Sequence, residues 1–183
     1  FKKLIKVKKT IGIYKLPKIK LDHLNNLTDL TGIIQHAKHS VADRRTGYTL
    51  DDNSRALVVA TMHYDLTKSE KSLKLINTYL SYIYYSQKED GYFHNLMSYE
   101  KKFLDEIGSE DSYGRTLWAC GRLVDSKVNF NLKKNAKFIF DNAVKNVDNL
   151  NSVRSMVFSL IGLYYYYKVY NEKDIYEKIQ RLA

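Results

Sequence analysis

A chain with one proline in 183 residues contains almost nothing that stops a helix. Pro17 lies near the start, and eight glycines are too few to supply the tight turns of a sheet protein. The expected fold is therefore all-α, with helices joined by short connectors. A hydrophobic share of 44% is enough at this length to bury one substantial core.

Apolar period and capping residues divide the chain into seven expected helices. They cover about residues 30–38, 52–65, 69–86, a segment beginning after Asp111, then 132–147, 152–169 and 172–182. Asp51 is the expected N-cap of the second helix, and Asp111 or Ser112 that of the fourth. Residues 87–109 read as a long irregular connection with a short strand at Tyr92-Phe93. Residues 1–20 read as a basic connector and 21–183 as the domain.

The net charge of +10 does not imply a nucleic-acid partner. Of the 30 lysines and arginines, eight are lysines within residues 1–20, where there is no acid. The other 22 face 20 acidic residues. A lysine-rich tail is a solvated linker before it is a binding surface. No apolar run approaches the roughly 18 residues of a membrane span, and no signal peptide is visible, so the expected location is cytoplasmic with no membrane partner. The first residue is Phe1 rather than methionine, and further residues are expected before it. Cys120, the single cysteine, lies in an apolar helix and reads as an inert buried thiol.

Two acidic clusters share one layout. Gly47-Tyr-Thr-Leu-Asp-Asp-Asn-Ser-Arg55 and Gly108-Ser-Glu-Asp-Ser-Tyr-Gly-Arg115 each place a glycine, a carboxylate pair and an arginine ahead of an apolar run. Such carboxylates can cap a helix, bind a sugar or move a proton. Helices joined by short loops alternate in direction, so the starts of the second, fourth and sixth fall at one end. His36, Asp51–Arg55, the 87–109 connection, Glu110–Arg115 and Arg154 then gather on one rim, as a ligand site requires. No phosphate loop, dinucleotide fingerprint or nucleophile elbow occurs, and His36 and His39 lack zinc-site spacing. No cofactor or metal is expected.

Several motifs together resemble the α/α-toroid, six-hairpin glycosidase-like superfamily. They are Asp22-His-Leu24, Leu27-Thr-Asp-Leu-Thr-Gly-Ile33, Gln35-His-Ala37, the two acidic clusters with Ala56-Leu57 and Trp118-Ala119, and Asp90-Gly-Tyr-Phe-His-Asn95. The resemblance is closest to a bacterial and archaeal group often attached to glycosyltransferases or described as such. It covers residues 20–125 well and the rest weakly, and Ala42 stands where a proline is expected. A full toroid has twelve helices, so seven imply a partial ring. The bare end at Arg181-Leu-Ala183 fits a fragment of a larger domain, whose exposed helix faces would favour self-association.

The resemblance implies a carbohydrate-active domain that hydrolyses or otherwise processes a glycosidic bond. That reaction needs two carboxylates about 5–10 Å apart across the sugar. Glu110 and Asp111 are adjacent and cannot supply both, so one of them as acid is paired with Asp51 or Asp52 as base. His36, Tyr48, Asn53, Arg55, Tyr92, His94, Asn95, Arg115 and Trp118 are the expected substrate contacts, with aromatic rings for sugar faces and amides for hydroxyls. Each has a structural reading beside it: the acids as helix caps, the arginines as their ion-pair partners, His36 as a helix-end hydrogen bonder. The architecture also hosts epimerases and lyases. The rival class is a non-catalytic sugar-binding or scaffold module attached to a glycosyltransferase. A protein-interaction repeat ranks below both, because the helices share no fixed sequence period.

Overall fold

The computed structural model describes residues 17–183, so the basic connector assigned to residues 1–20 falls almost wholly outside the described residues. The described chain is helical, as the shortage of breakers requires. Its helices are α1 (Asp22–Leu27), α2 (Leu50–Thr67), α3 (Glu70–Ser86), α4 (Glu110–Val124), α5 (Phe130–Ala143), α6 (Val153–Tyr170) and α7 (Lys173–Leu182). Two small antiparallel pairs accompany them: β1 (Ala37–Lys38) with β2 (Val41–Ala42), and β3 (Tyr48–Thr49) with β4 (Leu96–Met97).

Local chemistry sets most helix ends. The Thr49 hydroxyl accepts from the Asp52 amide at 3.1 Å and starts α2, so the N-cap is Thr49, two residues before the expected Asp51. Ser109 and Asn129 cap α4 and α5 in the same way, accepting from Ser112 and Leu132 at 3.2 and 3.1 Å. Helices α2 and α6 stop at Lys68 and Asn171, both in the left-handed region at φ 57° and 53°. Helix α5 passes into a 3-10 segment, Val144–Asn149, which accounts for the longer helix expected there.

The expected helix over 30–38 does not form. Apolar Leu30, Ile33 and Ile34 mimic a helical stripe, but Leu30 is fully exposed at 100%. The Asp29 carboxylate accepts from the amides of Thr31 and Gly32, folding a local turn that competes with helix. The Ile33 amide donates to Asn53 Oδ1 at 3.0 Å, and Ile34 pairs with Tyr48. These backbone groups are therefore claimed by distant residues. The first helix is instead α1, which sequence periodicity passed over. The strand expected at Tyr92-Phe93 is an isolated bridge from Phe93 to Gln87, and the true strand follows at Leu96–Met97.

Three hairpins, α2/α3, α4/α5 and α6/α7, form two layers. Helices α2 and α4 run parallel: Arg115 meets Asp51 at their N-terminal ends, while Arg122 meets Asp65 at 2.6 Å near their C-terminal ends. Helices α4 and α6 are parallel too, with Arg154 on Asp111 at one end and Lys168 on Asp125 at the other. Helix α5 runs back against α4, where the Tyr113 hydroxyl donates to the Ala143 carbonyl. Between the layers lies a continuous core containing Leu57, Ile76, Ile83, Leu117, Leu123, Ile139, Phe140 and Tyr166, each essentially without exposed surface. Burial of this apolar surface is the dominant stabilising term. Cys120 is sealed inside it, and burial pushes its thiol up to about 12.

Candidate functional site

The parallel row α2–α4–α6 brings three N-terminal ends to one rim, where the two acidic clusters meet. Asp51 and Asp52 occupy the first turn of α2, and Asp111 the first turn of α4. Arg55 lies three and four residues on, and its guanidinium bonds Asp52 Oδ1 and Asp51 Oδ2. Arg115 Nε donates to Asp111 Oδ2 at 3.0 Å and stands 2.7 Å from Asp51 Oδ1. Arg154 from α6 closes the array, its Nε 2.6 Å from Asp111 Oδ1. Three carboxylates and three guanidiniums thus alternate along the rim.

Asp51 is the chemically distinctive member. Burial raises its carboxyl above the ordinary 3.8, against the opposing pull of Arg55 and Arg115. Its Oδ1 has no water-accessible surface and accepts no hydrogen bond, because the Arg115 N–H is directed at Asp111 instead. Beside it opens a polar cleft of ≈ 360 Å³, lined by Gln35, His36, Thr49, Asp51, Asp52, Arg55 and Asn95. This volume lies within the range of small-ligand sites. Asn95 also anchors the start of α2: its side-chain oxygen accepts from the Asp51 amide at 3.2 Å and its carbonyl from Leu50 at 2.8 Å. Asp105 holds Asn95 in turn, accepting from its amide at 2.8 Å.

The remaining candidates divide by position. Glu110 does not face this cleft. Its carboxylate accepts from the amides of Ser152 (2.7 Å) and Asn151 (2.9 Å), and from the Ser155 hydroxyl (3.2 Å), capping α6 from another helix. The two backbone N–H bonds hold its carboxyl below the ordinary 4.5. That is the reverse of what a general acid needs at neutral pH. Asn53 is wholly buried, donating to the Thr49 carbonyl and accepting from Ile33, so it has no surface to offer a ligand. Tyr48 is 1% exposed and donates to Asp29 Oδ2 at 2.6 Å; burial and that carboxylate raise its phenol well above its usual value.

Tyr92 accepts from Asn149 through its hydroxyl, and His94 Nδ1 donates to the Asp105 carbonyl at 2.6 Å while its ring stacks on Phe103. Trp118 stacks on Phe158 at 5.7 Å, and Arg115 lies over the same phenyl ring at 4.3 Å. Sequence reasoning omitted Gln35 and Thr49 from the cleft and left Arg154 on the rim without a role. Gln35 adjoins His36 in sequence, which was the available signal. Among the described residues no three His, Cys, Asp or Glu side chains lie close enough to hold a metal ion. No described helix is long and apolar enough to cross a membrane.

No protein-family model matches the sequence, and no curated protein matches it. The fold does match a solved structure described as a sugar epimerase from a ruminal bacterium, with TM-score 0.71 at 14% identity. The match covers 86% of this chain and 49% of that one, so the chain spans about half the length of this structural relative. At such identity the likeness establishes a common fold of helical hairpins.

Proposed function

We propose that this chain forms part of an α/α toroid and processes carbohydrate at the rim cleft, with Asp51 as the proton-carrying carboxylate. The observation that carries this reading is the setting of Asp51: a half-buried carboxyl with a raised pKa, in the first turn of a helix and open on one side to a polar cleft. A carboxyl whose pKa is moved toward neutrality both takes and returns a proton more readily at working pH. Arg55, Asn95, Gln35 and His36 line the same cleft and offer donors and acceptors suited to sugar hydroxyls. A helical-hairpin fold shared with a sugar epimerase supports a sugar as the substrate class.

Glycosidic-bond hydrolysis would need a second carboxylate across the sugar from Asp51. Asp111 stands on the correct side, but Arg115 lies between the two, in contact with both. Asp51 alone is better suited to single-proton chemistry on a sugar, such as epimerisation, than to hydrolysis by that pair. The test is a panel of free sugars and neutral oligosaccharides incubated with the protein, with products read by NMR. Asp51→Asn should abolish turnover while the protein still unfolds as a cooperative, folded domain. Full turnover by a folded Asp51→Asn variant would reject the assignment.

A second reading, a sugar-binding module without turnover, is favoured by one feature: Asp51, Asp52 and Asp111 are each paired with an arginine. Binding by saturation-transfer NMR that yields no product and survives Asp51→Asn would select it.

A further inference from the structure

The outer layer carries a groove that plays no part at the rim. It runs between α3 and α5 as two adjoining hollows of ≈ 420 and ≈ 350 Å³ that share Asn77 and Asn135. The two helices are parallel here: Gln87 after α3 donates to the Ile139 carbonyl near the end of α5, and Tyr84 meets Phe138. Each contributes the same kind of face. Asn77, Ser81 and Tyr84 lie at i, i+4 and i+7 on α3; Asn131, Asn135 and Phe138 lie at i, i+4 and i+7 on α5. Amides and a hydroxyl therefore line the length of the groove, with an aromatic pair at one end and Lys74 at the other.

The side chains of these residues are not occupied elsewhere. Among the described residues none of the three asparagine amides, nor the Ser81 or Tyr84 hydroxyl, makes an intramolecular side-chain hydrogen bond. Tyr84 and Phe138 are 60% and 58% exposed, with ring centroids 6.1 Å apart and planes tilted by 57°. Asn77 and Asn135 sit exposed in the interior of their helices, where lysine, glutamate or glutamine would be more favourable. The hollow at the aromatic end contains no charged side chain among the described residues.

We propose that this groove is a second binding site, separate from the rim, for a neutral oligosaccharide. Each amide presents paired donors and acceptors that match the vicinal hydroxyls of a sugar, and exposed rings match its apolar face. Lys74, in the hollow away from the rings, is the one charged side chain among the described residues lining the groove. The aromatic end, where a sugar face would stack, has none, which favours a neutral ligand over an acidic or phosphorylated one. The proposal stands on these residues alone and does not depend on chemistry at Asp51.

The test is titration of the isotopically labelled protein with cellotetraose, maltotetraose and xylotetraose, observing side-chain amide resonances. At least one sugar should shift the Asn77 and Asn135 amides in a saturable manner. Tyr84→Ala with Phe138→Ala should weaken that binding at least tenfold, and both sites are exposed enough for the variant to fold. Asp51→Asn should leave the titration unchanged, which separates this groove from the rim. The proposal is overturned if no tetrasaccharide moves those amides, if the double variant binds as well as the parent, or if Asp51→Asn abolishes the shifts.

Discussion

Replacing Gly162 with alanine tests how the parallel row is held together. On α6, a Cβ at Gly162 would come within 2.4 Å of the Leu117 carbonyl carbon and oxygen and 2.7 Å of the Trp118 nitrogen. From the facing helix, a Cβ at Gly121 would come within 2.2 Å of the Gly162 oxygen, and one at Gly114 within 2.5 Å of the Ser155 oxygen. Ordinary contact begins near 3.4 Å, so α4 and α6 would have to separate by about 1 Å. The obstructing atoms are backbone, and no rotamer change relieves them. Overpacking of this kind costs about 1–3 kcal/mol, and a clash confined to backbone belongs at the upper end. Alanine returns about 1 kcal/mol through its better helix propensity. The expected net loss is about 2 kcal/mol, equivalent to a fall in Tm of roughly 4–8 °C for a chain of this size. Circular dichroism at 222 nm during heating, with a urea titration alongside, measures it. Gly121→Ala strains the same contact, so the double variant should lose less than the sum of the two. A Gly162→Ala protein with unchanged or higher Tm would refute close backbone approach as the determinant of the α4–α6 pairing.

Glu110→Gln should cost about 1 kcal/mol by weakening the cap on α6, read as a lower urea midpoint at pH 7. Because the folded carboxyl sits below 4.5, its contribution is present above that pH and is lost as pH falls through the lower folded value; the parent and Glu110→Gln midpoints should converge in acid. Arg115→Met leaves Asp51 and Asp111 facing each other without their shared cation and should destabilise by roughly 2 kcal/mol at neutral pH. Without the pull of Arg115, the Asp51 carboxyl stands further above its ordinary 3.8, so part of this loss should be regained as pH falls toward that value, measured by urea unfolding across pH 4–7. Cys120 should resist a thiol reagent such as dithionitrobenzoate at pH 8 in the native protein and react once urea unfolds it; rapid native labelling would contradict its burial.

The sequence by itself determined six of the seven helices closely, together with the rim. Apolar period and capping side chains act within a few residues, so α2 through α7 could be read locally. The gathering of Asp51, Asp111, Arg115 and Arg154 followed from parity: hairpins reverse direction, and every second N-terminus returns to the same end. Only the tertiary structure decided the segment before α2, because Asp29, Asn53 and Tyr48 supply the partners that displace a helix over residues 30–38. It also decided which acid does what. Glu110 and Asp111 are neighbours with the same charge, yet on an α-helix adjacent side chains diverge by roughly 100°. One turns to the exposed amides of α6 and the other to Arg115, and that divergence is invisible until α6 has packed beside α4. The α3–α5 groove has the same origin: two asparagine-bearing faces, unremarkable in separate helices, become a site only when the outer layer sets them side by side.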